Sequence, residues 1–87
     1  MNIKKVEHVL RSLPKHIATT FLEWVMDVEA HGLEEVRKIS GYHDEPLKGK
    51  LKGLRSVRLS RGYRAYYEVD KVEVKLLRVE RIDKHGY

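Results

Sequence analysis

The hydrophobic period of this chain changes once, near residue 40, and that change restricts the fold more than any other feature. Before it, apolar residues recur at helical spacing: Ile3, Val6, Val9, Leu10, Leu13 and Ile17, then Phe21, Trp24, Val25 and Val28. After it, they alternate. Val57 and Leu59 are separated by Ser56, Arg58 and Ser60, while Tyr63, Ala65, Tyr67 and Val69 are separated by Arg64, Tyr66 and Glu68. A helical half followed by a strand half predicts an α+β domain, with N-terminal helices packed on one face of a small twisted antiparallel sheet.

The punctuation places the elements. A first short helix reaches Leu13-Pro14, where proline interrupts one helix and starts the next. The second helix spans residues 14–30, with Ile17, Phe21, Trp24, Val25 and Val28 as its buried stripe, Trp24 as the anchor of the core, and Gly32 as its stop. LEEVRKI, residues 33–39, makes a third helix with Glu34 and Glu35 in its first turn. GYHDEPLKGK reads as a loop. Strands follow over residues 56–60, 63–69 and 72–82, with turns at Ser60-Arg61-Gly62 and Asp70-Lys71, and DKHGY forms a tail. Eighty-seven residues without linker or repeat fit one domain, helical over 1–40, with the sheet and tail over 41–87.

Composition removes several functional classes. The chain has no cysteine, which excludes a disulfide scaffold, a cysteine-type zinc site and a thiol nucleophile. No histidine pair has metal-ligand spacing beside a carboxylate. No apolar run approaches the roughly 20 residues of a membrane span, and no signal-peptide pattern opens the chain. The expected location is the cytoplasm, with no metal, cofactor or membrane partner.

The formal net charge is +5, and its distribution matters more than its size. Residues 48–64 carry Lys48, Lys50, Lys52, Arg55, Arg58, Arg61 and Arg64 and no carboxylate. One bland reading is a solvated strand face whose cations discourage edge pairing. The other is a phosphate track: arginines present planar forks, lysines add point charge, and Tyr63, Tyr66 and Tyr67 offer stacking surface to an unpaired strand. Helices cover one face of a small sheet, and parity sends Arg58, Arg64 and Tyr66 together to one side.

A chemical set suggests itself if the tail folds back over this sheet. Glu45, Arg64, Arg81, His85 and Tyr87 would then converge, and such a set suits RNA cleavage without metal. A base takes the 2′-hydroxyl proton, arginine holds the developing phosphate charge, and an acid protonates the leaving 5′-oxygen. His43, just ahead of the basic stretch, is a secondary candidate. His8, His16 and His31 read as ordinary surface or half-buried residues.

The run EPLKGKLKGLRSVRLSRGYRAYYEV, followed by LLRVERIDKHGY, resembles toxins of the RelE/ParE superfamily from bacterial toxin–antitoxin pairs, nearest the RelE-, YafQ- and HigB-like branches. Glu45-Pro46-Leu47-Lys48-Gly49 is similar to the family's lead-in to the sheet. Residues 58–64 resemble its cationic strand and Gly-Tyr-Arg hairpin, and LLRVER with a following histidine resembles the YafQ-like C-terminus. The resemblance covers residues 41–87.

It implies a ribosome-dependent mRNA endonuclease that inhibits translation and is held inactive by a cognate antitoxin. Carried over by position, Arg64 stabilises the phosphate, and His85 or Tyr87 acts in proton transfer with Arg81 in support. Glu45 stands where relatives place a general base. Lys48, Lys50, Lys52, Arg55, Arg58 and Arg61 hold mRNA and ribosome.

Two departures accompany the resemblance. Relatives usually begin with a strand, whereas residues 1–12 here read as helix, which would leave the sheet smaller or its edge open. YafQ-like enzymes carry histidines where this chain has Glu45 and Arg58. Two alternatives therefore stay open beside the nuclease: a gyrase-directed, ParE-like toxin of the same fold, and a plain basic nucleic-acid-binding module.

Overall fold

The computed structural model describes residues 1–70 and 73–82. Its regular elements are helices α1 (Glu7–Leu10), α2 (Lys15–His31) and α3 (Leu33–Val36), then strands β1 (Glu45–Pro46), β2 (Arg55–Ser60), β3 (Tyr63–Val69) and β4 (Val74–Arg81). The strands form one antiparallel sheet in the order β1-β2-β3-β4.

Helix α2 follows from its stripe and its ends. Pro14 precedes the first helical residue with the extended backbone of a helix entrance, φ −52° and ψ 141°. At the other end Gly32 takes φ +84°, a left-handed value that favours glycine, and its N–H closes the last turn on the Val28 carbonyl at 2.8 Å. Ile17, Phe21 and Trp24 are fully buried and Val28 nearly so. They pack on the sheet residues Val57, Leu59, Ala65, Tyr67 and Leu76. Trp24 lies at the centre, its ring 5.3 Å from that of Tyr67 and 6.4 Å from that of Phe21.

Three expectations are corrected. The N-terminal helix is shorter than its periodicity suggests: a 3-10 turn at Lys4–Val6 leads into the single turn of α1. Asn2 explains this, because its side-chain Oδ1 accepts the Lys4 N–H at 3.0 Å and bends the chain before the helix can start. The freed Asn2 backbone pairs in parallel with β4, donating to the Val74 carbonyl and accepting from the Leu76 N–H, each at 2.9 Å. The outer edge of β4 is thus covered at one point rather than left wholly open.

Helix α3 is also short. After Val36 the chain turns by tighter bonds, Lys38 N–H to Glu35 and Ile39 N–H to Val36, and Ile39 ends up 46% exposed instead of buried. Finally, the loop ahead of the basic stretch contributes a strand, with Glu45 opposite Ser56 and Pro46 opposite Arg55.

Two irregularities in the sheet decide which side chains face where. In β2, Leu59 is an extra residue between the pairs Arg58–Arg64 and Ser60–Tyr63, and Arg61-Gly62 makes the two-residue turn. In β4, Leu77 is an extra residue between the pairs Tyr67–Leu76 and Tyr66–Arg78. Val74 and Leu76 face the core before this bulge, and Val79 packs against the core after it.

Candidate functional site

The helices cover the face that carries Val57, Ala65 and Tyr67. The opposite face presents two cross-strand rows, Glu45–Ser56–Tyr66–Arg78 and Arg58–Arg64–Glu80. Arg64 is the organising side chain. Its Nε and Nη2 donate to Ser56 Oγ at 3.0 and 2.8 Å, and Nη2 also reaches the His43 carbonyl at 3.1 Å and Glu45 Oε1 at 3.3 Å. The side chain is only 18% exposed, whereas Glu45 is 48% and His43 58% exposed. His43 Nε2 lies 3.7 Å from Glu45 Oε2. A partly desolvated guanidinium, a carboxylate and an imidazole therefore share one open spot.

The segment carrying His43 and Glu45 is fixed from the other side of the sheet. Between them Asp44 turns inward, its side chain 1% exposed, and accepts from Arg55 Nε at 2.7 Å and from the Tyr67 hydroxyl. Burial, and then the hydrogen bond to the Asp44 carboxylate, push the Tyr67 hydroxyl well above the ordinary phenol range. Burial alone would lower Arg55, but the hydrogen bond and charge of Asp44 outweigh it and the net shift is upward. His43 adopts φ +47° and ψ +50°, a left-handed backbone that costs a non-glycine residue about 1–2 kcal/mol. Strain of this kind clusters at functional positions.

The remaining candidates divide. Lys48, Lys50 and Lys52 sit in and around the exposed 3-10 turn Gly49–Leu51, and Arg58 and Arg61 are exposed on the sheet and its turn. All five are solvent-facing; Arg58 lies opposite Arg64 across the strands, while the lysines sit in the connection between β1 and β2. Arg55 does not join them, because it belongs to the Asp44 clamp on the helix side. Arg81 pairs with Tyr63, so alternation sends it to the face opposite Arg64 and Glu80. The expected convergence of Arg64 with Arg81 is therefore not what the register gives. His85 and Tyr87 lie outside the described residues.

Sequence reasoning missed Ser56 and Asp44. Ser56 is a fully buried serine within a strand, and its spacing two residues before Arg58 was the readable signal, whereas its place opposite Tyr66 depends on the Leu59 bulge. Asp44 gave a weaker one, an acid next to an acid in a loop. Among the described residues no group of His, Asp or Glu is arranged to hold a metal ion, and no helix is long and apolar enough to cross a membrane.

No protein-family model and no curated protein matches the sequence. Solved structures do match by shape. The chain is similar to the toxin–antitoxin complex RelBE2 from Mycobacterium tuberculosis, with a TM-score of 0.61, 24% identity and 93% of each chain covered. It is also similar to the conserved hypothetical protein HP0894 from Helicobacter pylori, with a TM-score of 0.52 and 20% identity over 90% of this chain and 82% of that one. At these identities the likeness is one of architecture, and the chain has the RelE-like α+β fold.

Proposed function

We propose that the protein is the toxin of a toxin–antitoxin pair and acts in the cytoplasm as a ribosome-dependent mRNA endonuclease. The observation that carries this reading is the Arg64 cluster: a guanidinium positioned by Ser56 and the His43 carbonyl, with Glu45 and the His43 imidazole beside it, on an uncovered basic face. A scissile phosphate docks on Arg64 and displaces Glu45 from it. The freed carboxylate takes the proton of the adjacent 2′-hydroxyl, and that oxygen attacks phosphorus. The bond to the 5′-oxygen breaks, leaving a cyclic phosphate on one fragment and a 5′-hydroxyl, once protonated, on the other. The proton donor is His43, or His85 or Tyr87 from the tail.

Electrostatic stabilisation of the phosphate by one well-aimed donor is worth about 10²–10³ in rate, as is a lower-end acid or base. Lys48, Lys50, Lys52, Arg58 and Arg61 supply long-range attraction to mRNA and ribosome. A cognate antitoxin that covers this face neutralises the protein by masking Arg64. The test is primer extension on a translated mRNA with and without ribosomes. Cuts that need ribosomes and vanish in Arg64→Ala are expected. Growth inhibition that survives Arg64→Ala without any cuts refutes the nuclease and points to a gyrase-directed toxin.

A further inference from the structure

Three tyrosines are interleaved with the cations of the sheet, and the register separates them. Tyr67 is fully buried against Trp24, and Tyr63 packs on the core. Only Tyr66 of the three is turned to the open face, two residues along β3 from Arg64. At about 3.3 Å per residue, roughly 6.6 Å of strand separates them, the scale of one nucleotide step.

The surroundings of this ring are unlike a plain solvated face. Arg78, opposite Tyr66 on β4, holds its guanidinium carbon 5.8 Å from the ring centroid and donates from Nη1 to Glu80 at 2.7 Å. Leu51 and Leu54, together with Tyr66, Arg78 and Glu80, line a small open cavity of about 50 Å³. The Arg78–Glu80 pair is 60% and 42% exposed, so it contributes little to folding. An aromatic floor, apolar walls and a weakly held charged pair at the rim form a place to lay a flat, polar-edged ring.

We infer that Tyr66, Arg78 and Glu80 form a nucleobase subsite for single-stranded RNA, one nucleotide from the phosphate on Arg64. The inference deepens the nuclease reading and rests on it for the placement of that phosphate. The base takes the place of the Arg78 guanidinium over the Tyr66 ring, and the displaced guanidinium moves to the base edge. Glu80, as a carboxylate, only accepts hydrogen bonds. It therefore favours bases with an exocyclic amine over uracil, whose exocyclic atoms are both carbonyl oxygens. The subsite selects nucleotides, whereas Lys48, Lys50 and Lys52 merely attract them.

The experiment uses a short 2′-O-methyl RNA, which cannot be cut, with one 2-aminopurine as a fluorescent base. Quenching on binding reports stacking. Tyr66→Phe should keep it, while Tyr66→Ala and Tyr66→Leu should weaken binding about 5- to 150-fold, since stacking on an aromatic is worth about 1–3 kcal/mol per base. Unchanged thermal midpoints in these variants separate a lost subsite from lost folding. Equal affinity and quenching in Tyr66→Leu overturns the subsite, whether or not the protein cuts RNA. Quenching that depends on Tyr66 in a protein that cuts nothing supports the subsite and overturns only the nuclease. In the native protein, replacing the reporter by cytidine should bind better than by uridine, and Glu80→Gln should narrow that difference. No difference between the two overturns the role of Glu80.

Discussion

Tyr67→Phe isolates the clamp beneath the candidate site. The ring of Tyr67 is fully buried and stays packed against Trp24 in this variant, so hydrophobic burial is nearly unchanged. What disappears is the hydroxyl that donates to Asp44, a carboxylate with 1% exposure whose other partner is Arg55. Hydrogen bonds to charged groups are worth about 1.5–3 kcal/mol, and a buried acceptor left short of a donor falls in the same range. At roughly 4–8 °C per kcal/mol for a chain of this size, the thermal midpoint should fall by about 6–24 °C.

The double variant Tyr67→Phe/Asp44→Asn should be less destabilised than the sum of the singles, with a coupling of about 0.5–3 kcal/mol, because the two groups act on one bond. Thermal unfolding followed by circular dichroism measures all three variants. The functional consequence follows from position, since His43 and Glu45 flank Asp44 and lose their fixed footing. RNA cleavage should therefore fall even at temperatures where Tyr67→Phe is fully folded. A midpoint within about 1 °C of the native value, with additive single effects, would refute the clamp, since even half a kcal/mol moves it further.

Three further outcomes are expected. Tyr42 donates to Asp27 at 2.7 Å, and its pKa is pushed up to about 12 by burial and then by that hydrogen bond. Its neutral form is favoured only in the folded chain, so its contribution to stability is intact below the ordinary phenol range near 10 and is lost as pH rises towards 12. Tyr42→Phe should flatten denaturation curves measured across that window. Asn2→Pro removes the N–H that bonds the Val74 carbonyl and should speed hydrogen exchange at the Leu76 amide, which Asn2 protects. Exchange at Leu76 unchanged by the substitution excludes the N-terminal pairing. His43→Gly relieves the left-handed backbone and should leave the thermal midpoint equal or a few degrees higher while lowering cleavage. A lower midpoint with full cleavage contradicts a strained functional residue.

Long-range order in this fold was readable wherever a pattern ran for several turns or residues. Helix α2 announces both ends and its stripe, so Trp24 and Phe21 could be assigned to the core from the sequence, whereas β2 and β3 show their period of two without saying which face the helices cover. Pairings made by one or two residues leave no period to read, which is why Asn2 on β4 and Glu45-Pro46 on β2 escaped notice. The site was half legible for the same reason. Arg64 and Tyr66 share a face by simple alternation along β3, and the Leu59 bulge sets Arg58 opposite Arg64 on that same face. Arg55 carries the parity of Val57 and therefore goes to the helix side, where only the unforeseen burial of Asp44 accounts for it. Arg81 depended on a strand whose alternation is broken, and no count along VKLLRVER says where the break falls.

That break, the extra Leu77 in β4, also determines how the protein can change over generations. Substitutions can retune Arg78 or Glu80 one at a time, leaving the sheet intact. Losing Leu77 itself would only close the bulge, with Leu76 still opposite Tyr67 and Arg78 still opposite Tyr66, each on its present face. Losing a residue past it, such as Val79, is another matter, because Glu80 would then turn to the core side and Arg81 to the open face. The rim of the open face can therefore drift in chemistry and even shed its bulge, but a one-residue gap among descendants of this chain should fall at Leu77 and not between Arg78 and Arg81.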